Sequence, residues 1–379
     1  MERGASAASR SHSLYTDAVV GLVLFGLLYA WKVRVGRHKT DESHSTPHSP
    51  PTRKEEVQIN QHESNSIYHA NKPQGATSAT FPLPEALPDF SLETARTRDY
   101  IYVNKTLRYP YYQTMAHQPL SPNNWIELSA SYRWYLAEKK RVVEEQGKKV
   151  IDSLPENDAA CGELLEMVVE FMTARYPTLF DRLLETQGDE KLDGIYSRVT
   201  GERYQWVKGC PPEGVAGLRV ISRLTENDFL MARERDDGHI YFVGGLVAFP
   251  GFYLLSEKIG KSMYEVHTPV PQFNQKLLVS VERTLKRMDP NAPFERSSWE
   301  IVDDNNLFFH NIAQLPEGAK CTTDPGDLYL RIDRQAFRKL PRSKAITFAV
   351  HPIIKKMRDI REDSPLVPAL LAKIHEESS

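Results

Sequence analysis

One stretch concentrates the residues able to do chemistry: Glu265-Val266-His267-Thr268-Pro269-Val270-Pro271-Gln272-Phe273. A lone histidine closes a turn of apolar helix, and two prolines follow it. Pro269 and Pro271 fix their own φ and restrict the residues before them, so His267 leaves the chain in a set direction. Such a corner suits an axial ligand to iron, and equally a core histidine whose nitrogens are satisfied within the protein. The residues leave both readings open. Apolar walls for a macrocycle are at hand in Phe249, Phe252, Tyr253, Val266 and Val270. Arg331, Arg334 or Arg338 could meet a propionate. His351, which also precedes a proline, is the second candidate ligand. His239 falls in a hairpin turn and His310 in a loop, where exposure is expected.

Other chemistries are excluded by missing motifs. The chain has no GxGxxG after a strand, no Walker loop, no GxSxG elbow and no HExxH. It lacks the H-x-D/E with a distant histidine that non-heme iron oxygenases use. Without CxxCH, any heme would be held non-covalently. Cys161, Cys210 and Cys321 are too scattered for a disulfide framework or a structural zinc, which suits a reducing compartment. Basic residues number 48 and acidic residues 50, interspersed without a basic stripe, so no nucleic-acid partner is expected.

The elements that must position these residues are legible in outline. "NNWIELSASYRWYLAEKKRVVEEQ" reads as a helix opened by an asparagine cap. "ENDAACGELLEMVVEFMTARYP" is a stronger one, with Leu164, Met167, Val168 and Phe171 on one stripe and Pro177 ending it. "DFLMARERDDGHIYFVGGLVAFP" reads as a β-hairpin turning at Asp237-Gly238, and Gly244-Gly245 marks a bulge or a close approach to the backbone. "FYLLSEKIGKSMYEVH" and "FNQKLLVSVERTLKRM" are helix-prone, and three strands close the pattern near Trp299, Arg331 and Thr347. In the middle strand Leu330, Ile332 and Arg334 share one face and Arg331, Asp333 and Gln335 the other. The fold class is α+β: an antiparallel sheet with helices before it and inserted within it.

Composition divides the chain into 1–37, 38–89 and 90–379. Ala18 to Trp31 is apolar and uncharged, so residues 14–35 are expected to form a single membrane anchor, against the helix of about 20 residues that a bilayer needs. Lys32, Arg34, Arg37 and Lys39 follow it, which places the downstream domain in the cytosol, on the endoplasmic reticulum. The sequon at Asn104 is then a chance match. Residues 38–89 are rich in Ser, Pro, His and Gln and form a disordered polar linker. Residues 90–379 are the catalytic domain.

Several blocks between Tyr109 and Pro352 resemble the heme-dependent oxidative N-demethylase family, whose fungal members carry an H-R-Q signature. They are "PLSPNNWIELSASY", "ENDFLMARERDDGHIYFVGGLVAFPGFYLLSEKIGKSMYEVHTPVPQF", "SSWEI" and "LYLRIDRQAFRKLPRSKAITFAV". The resemblance implies a PAS-like fold that binds heme b and oxidises an N-methyl group of a small amine with dioxygen. By position it implies His267 as the iron ligand, Arg334 and Gln335 as catalytic residues, and Arg331, Arg334 and Phe249 as further cofactor contacts. This chain has Asp333-Arg334-Gln335, which puts any role of the signature histidine in doubt. The expectation is a membrane-anchored heme monooxygenase or demethylase-like enzyme acting on a small molecule of fungal secondary metabolism, with an electron donor of unassigned identity. The alternative is a non-enzymatic PAS-like sensor of heme or another ligand.

Overall fold

The computed structural model describes residues 81–98, 117–251, 253–268, 273–302, 304–308 and 324–360. In chain order the elements are β1 (Gln118–Pro119), α1 (Tyr132–Gln146), β2 (Ile151–Ser153), α2 (Asp158–Arg175), β3 (Phe180–Gln187), β4 (Glu190–Ser197), β5 (Arg203–Val207) and α3 (Gly214–Ser222). They continue with β6 (Asp228–Glu234), β7 (Ile240–Leu246), α4 (Leu255–Lys258), α5 (Met263–His267), α6 (Phe273–Lys276), α7 (Leu278–Arg287), β8 (Phe294–Val302), β9 (Tyr329–Lys339) and β10 (Ile346–Lys356). A seven-stranded sheet runs β1-β8-β9-β10-β6-β7-β2, and a three-stranded sheet runs β3-β4-β5. Every strand pair among the described residues is antiparallel. This is an α+β fold with helices flanking antiparallel sheets.

The membrane part of the expected fold is corrected. Among the described residues no helix is long and apolar enough to cross a membrane. The segment 14–35 lies outside the described residues, as do the Asn104 sequon and His310. The anchor, the membrane partner and the endoplasmic-reticulum placement that rested on that segment are dropped. The last stretch of the expected linker packs on the domain: Leu87 donates its N–H to the Arg175 carbonyl at 2.9 Å, and Pro84 is buried.

Strand alternation gives the large sheet two working faces. Phe229, Met231, Ala336 and Ala349 face the core built with α1, α2 and α3, whose stripe includes the fully buried Leu164 and Val168. Ala232, Phe242, Phe294, Phe337 and Ile346 face a second core closed by Met263, Phe273, Val281 and Leu285. The two faces differ in what covers them. The 15- and 18-residue helices α1 and α2 cover the first, whereas among the described residues helices of 4 to 10 residues between Met263 and Arg287 cover the second.

Local chemistry explains where expectation and structure diverge. The asparagine pair does not open α1: Pro122–Asn124 forms a 3-10 turn, and the helix begins after Ser131. The helix-prone run before His267 is split, because Gly260 takes φ 81° and Phe242 exchanges hydrogen bonds with Gly260 and Lys261. The edge of β7 needs partners for its backbone groups there, and strand-like pairing wins over helix continuation. The three-stranded sheet went unread in the sequence, since the second half of β3 is exposed and the strand lacks a clean apolar alternation.

Candidate functional site

His267 ends α5, whose start is fixed by a reciprocal cap. The Ser262 hydroxyl accepts from the Glu265 N–H at 3.2 Å, and the Glu265 carboxylate accepts from the Ser262 N–H at 2.7 Å. With the helix pinned, the imidazole is held twice. Its Nδ1 lies 2.8 Å from the Met263 carbonyl, which can only accept, so Nδ1 carries the proton. Phe273 stacks on the ring at 4.0 Å with an interplanar angle of 14°. Burial pushes the imidazole down to about 4, against the opposing bond to Met263 and with the Lys258 ammonium adding to the fall. The ring is therefore neutral near pH 7, and its Nε2 presents a lone pair.

The sheet surface beside this imidazole is only part-covered among the described residues. Leu230, Phe348, Val350, Gln335 and Asp333 share its face and are all half-buried. Gly245 sits opposite Leu230 with φ 153°, and a Cβ there would lie 2.4 Å from the Phe229 carbonyl oxygen. The backbone of β6 thus approaches Gly245 closely, and the β6–β7 register shifts between Met231 and Ala232, so the bulge and the close approach expected at Gly244-Gly245 are both present. Gln335 donates its amide to the Ser298 hydroxyl at 3.1 Å.

The other expected site residues are distributed differently. His351 and Arg334 are cross-strand partners on the opposite face. His351 Nε2 lies 2.9 Å from the Glu226 carboxylate, and its Nδ1 faces Arg334 Nη1 at 3.4 Å. The carboxylate and the guanidinium dictate that Nε2 donates and Nδ1 accepts, so neither nitrogen is free for a metal. Arg334 continues to Glu127 at 3.0 Å, and Arg98 bridges Glu127 to Glu295. Phe249 also lies in the helix-covered core, 5.6 Å from Tyr135 between ring centroids. Arg331 reaches from the His267 face to the Phe249 carbonyl at 2.8 Å and pairs with Asp333 at 3.0 Å. Gly251, at φ 68°, makes room for that guanidinium. Phe252 and Val270, named as walls, lie outside the described residues.

Glu127 and Glu226 were missed in the sequence because a buried carboxylate has no local signature; only its distant partners mark it. Among the described residues no group of three or more His, Cys, Asp or Glu side chains could hold a metal ion. Residues 116–379 match a protein family described as Haem-dependent oxidative N-demethylase, alpha subunit-like.

Proposed function

Because the chain belongs to the Haem-dependent oxidative N-demethylase, alpha subunit-like family, whose name implies heme use, we propose that it is a heme-dependent oxidoreductase. In this reading His267 would hold the iron of heme b, which would supply a dioxygen-using oxidation of a small molecule. The observation that carries it is the imidazole's tautomer: Nδ1–H is spent on the Met263 carbonyl, and Nε2 is left as a neutral donor. A backbone acceptor on the far nitrogen is how ligating imidazoles are oriented. The donor set fits the group, since a porphyrin supplies the equatorial nitrogens and one imidazole completes the protein's share.

When bound, the heme supplies dioxygen activation and the oxidation of an N-methyl or similar carbon. The chain's own residues do the rest. Phe273 holds the imidazole plane, and the half-buried apolar floor of Leu230, Phe348 and Val350 receives a flat ring and excludes water. Gln335 offers a carbonyl to an N–H of the substrate. Asp333 stands in the position of the signature histidine, and its carboxylate is held by Arg331 at 3.0 Å. Arg331 positions the backbone at Phe249, and Arg334 acts from the opposite face as a positioning residue for β9. The unit responsible is the region 90–379 together with the residues 81–89 that pack on it.

Titration of the full-length chain with hemin, followed by absorption, tests this. A Soret band of a histidine-ligated heme is expected, and His267→Ala should abolish or shift it, whereas His351→Gln should not. An unaltered Soret band in His267→Ala removes the assignment.

A further inference from the structure

Two sulfur atoms meet on the helix-covered side of the large sheet, where α2 crosses β6. Cys161, in α2, has its Sγ 3.7 Å from the Met231 Sδ of β6. The side-chain amide of Asn157, which caps α2, completes a triangle with them. Its Nδ2 lies 3.2 Å from the cysteine sulfur and 3.5 Å from the thioether. The Ser153 hydroxyl of β2 closes the group, 3.5 Å from Cys161 Sγ and 3.4 Å from Asn157 Nδ2. Cys161, Met231 and Asn157 are completely buried, and Ser153 is half-buried on an edge strand. Gly244 makes room for the amide: a Cβ there would lie 2.7 Å from Asn157 Nδ2.

Hydrogen bonding does not account for this cluster. A buried side-chain amide is normally matched to partners on both of its ends. Here the nitrogen meets two sulfurs, which are weak acceptors, and a distant hydroxyl. The amide oxygen, Asn157 Oδ1, has no donor at all. The spacing suits coordination instead. A tetrahedron with edges of such length has its centre about 2.1 Å from each corner, a metal–ligand distance. Thiolate and thioether together are a soft donor pair, which selects copper(I) over harder ions. One thiolate also cancels one monovalent charge, so the ion is buried without net charge, whereas a divalent ion would leave an excess.

We propose that Cys161 and Met231 bind one copper(I) ion, with the Asn157 amide oxygen and the Ser153 hydroxyl completing the site. Turning the amide over exchanges Nδ2 for the partnerless Oδ1. Binding forms a copper–sulfur bond at Cys161, breaks its S–H bond and releases the proton to water, with no change of oxidation state. Ser153 marks the side of entry. The site is separate from His267 and holds whether or not the chain takes up heme.

The full-length chain carrying Cys210→Ser and Cys321→Ser, which removes the other thiols, is titrated anaerobically with copper(I) against the chromophoric chelator bicinchoninate. One equivalent should leave the chelator for the protein, and zinc should not compete. Cys161→Ser and Met231→Leu in that background should each weaken binding by about a hundredfold or more, beyond what losing an outer partner of a metal ligand costs. Met231→Leu nearly conserves volume, and circular dichroism verifies that the variant is folded. Copper-edge X-ray absorption should show two sulfur neighbours at about 2.3 Å. Copper that stays with the chelator overturns the proposal. So does binding that is lost in Cys161→Ser but unchanged in Met231→Leu, since that describes a thiol taking up copper without the built site.

Discussion

Lys139 is completely buried and donates to the carbonyls of Thr225, Glu226 and Asn227 at 3.1, 3.0 and 2.6 Å, with the Asp228 carboxylate at 3.3 Å. One ammonium thus satisfies the turn that launches β6. Removing it strands both a buried carboxylate and the orphaned carbonyls, so Lys139→Met should cost about 3–5 kcal/mol of stability, read as a lowered urea midpoint. Glu127 gives the pH dependence. Burial pushes its carboxyl up, but Arg334 and Arg98 outweigh that, and the net result lies below the ordinary 4.5. A depressed folded-state value contributes stability that is present above pH 4.5 and lost as pH falls through the folded value. Urea unfolding at stepped pH should show the native chain weakening on acidification below 4.5, and Glu127→Gln should flatten that slope. Identical slopes would mean that the two guanidinium groups do not hold Glu127 ionised.

At the level of elements, glycine positions decide which strands can approach. Gly194 in β4 faces β5, and a Cβ there would sit 2.1 Å from the Tyr204 carbonyl oxygen. The neighbour is backbone and cannot rotate aside, so Gly194→Ala must separate β4 from β5. The expected loss is about 1–3 kcal/mol, in the range of overpacked sites. Hydrogen exchange should show it as lost protection at Arg203–Val207, while the pairing of β9 with β10 stays protected. The short helices α4 and α5 follow a different logic: they are too brief to be stable alone and exist because the edge of β7 and the Ser262 cap hold them. Mobility of the imidazole is limited by those anchors and by nothing in its own propensity.

For the molecule as a whole, the large sheet separates two tasks. The face under α1 and α2 carries the buried ionic chain from Arg98 through Glu127 and Arg334 to His351 and Glu226, and it sustains the fold. The opposite face carries His267, Gln335 and Asp333. The separation predicts that Glu127→Gln lowers the thermal midpoint yet leaves the position of the hemin Soret band unchanged, and that hemin raises the midpoint of the native chain by mass action. A Soret shift in Glu127→Gln would couple the faces that the sheet keeps apart. Periodicity and turn chemistry are local, which is why the β6–β7 hairpin, α2, the closing strands and the two faces of β9 could be read from residue order. The blocks around His267 carried the family for the same reason. Charge partners are not local. That Arg334 and His351 are consumed by Glu127 and Glu226, and that Phe249 belongs to the helix-covered core, depend on residues far apart in the chain meeting across a sheet. Only tertiary packing brings those groups within the few ångströms over which hydrogen bonds and desolvation act.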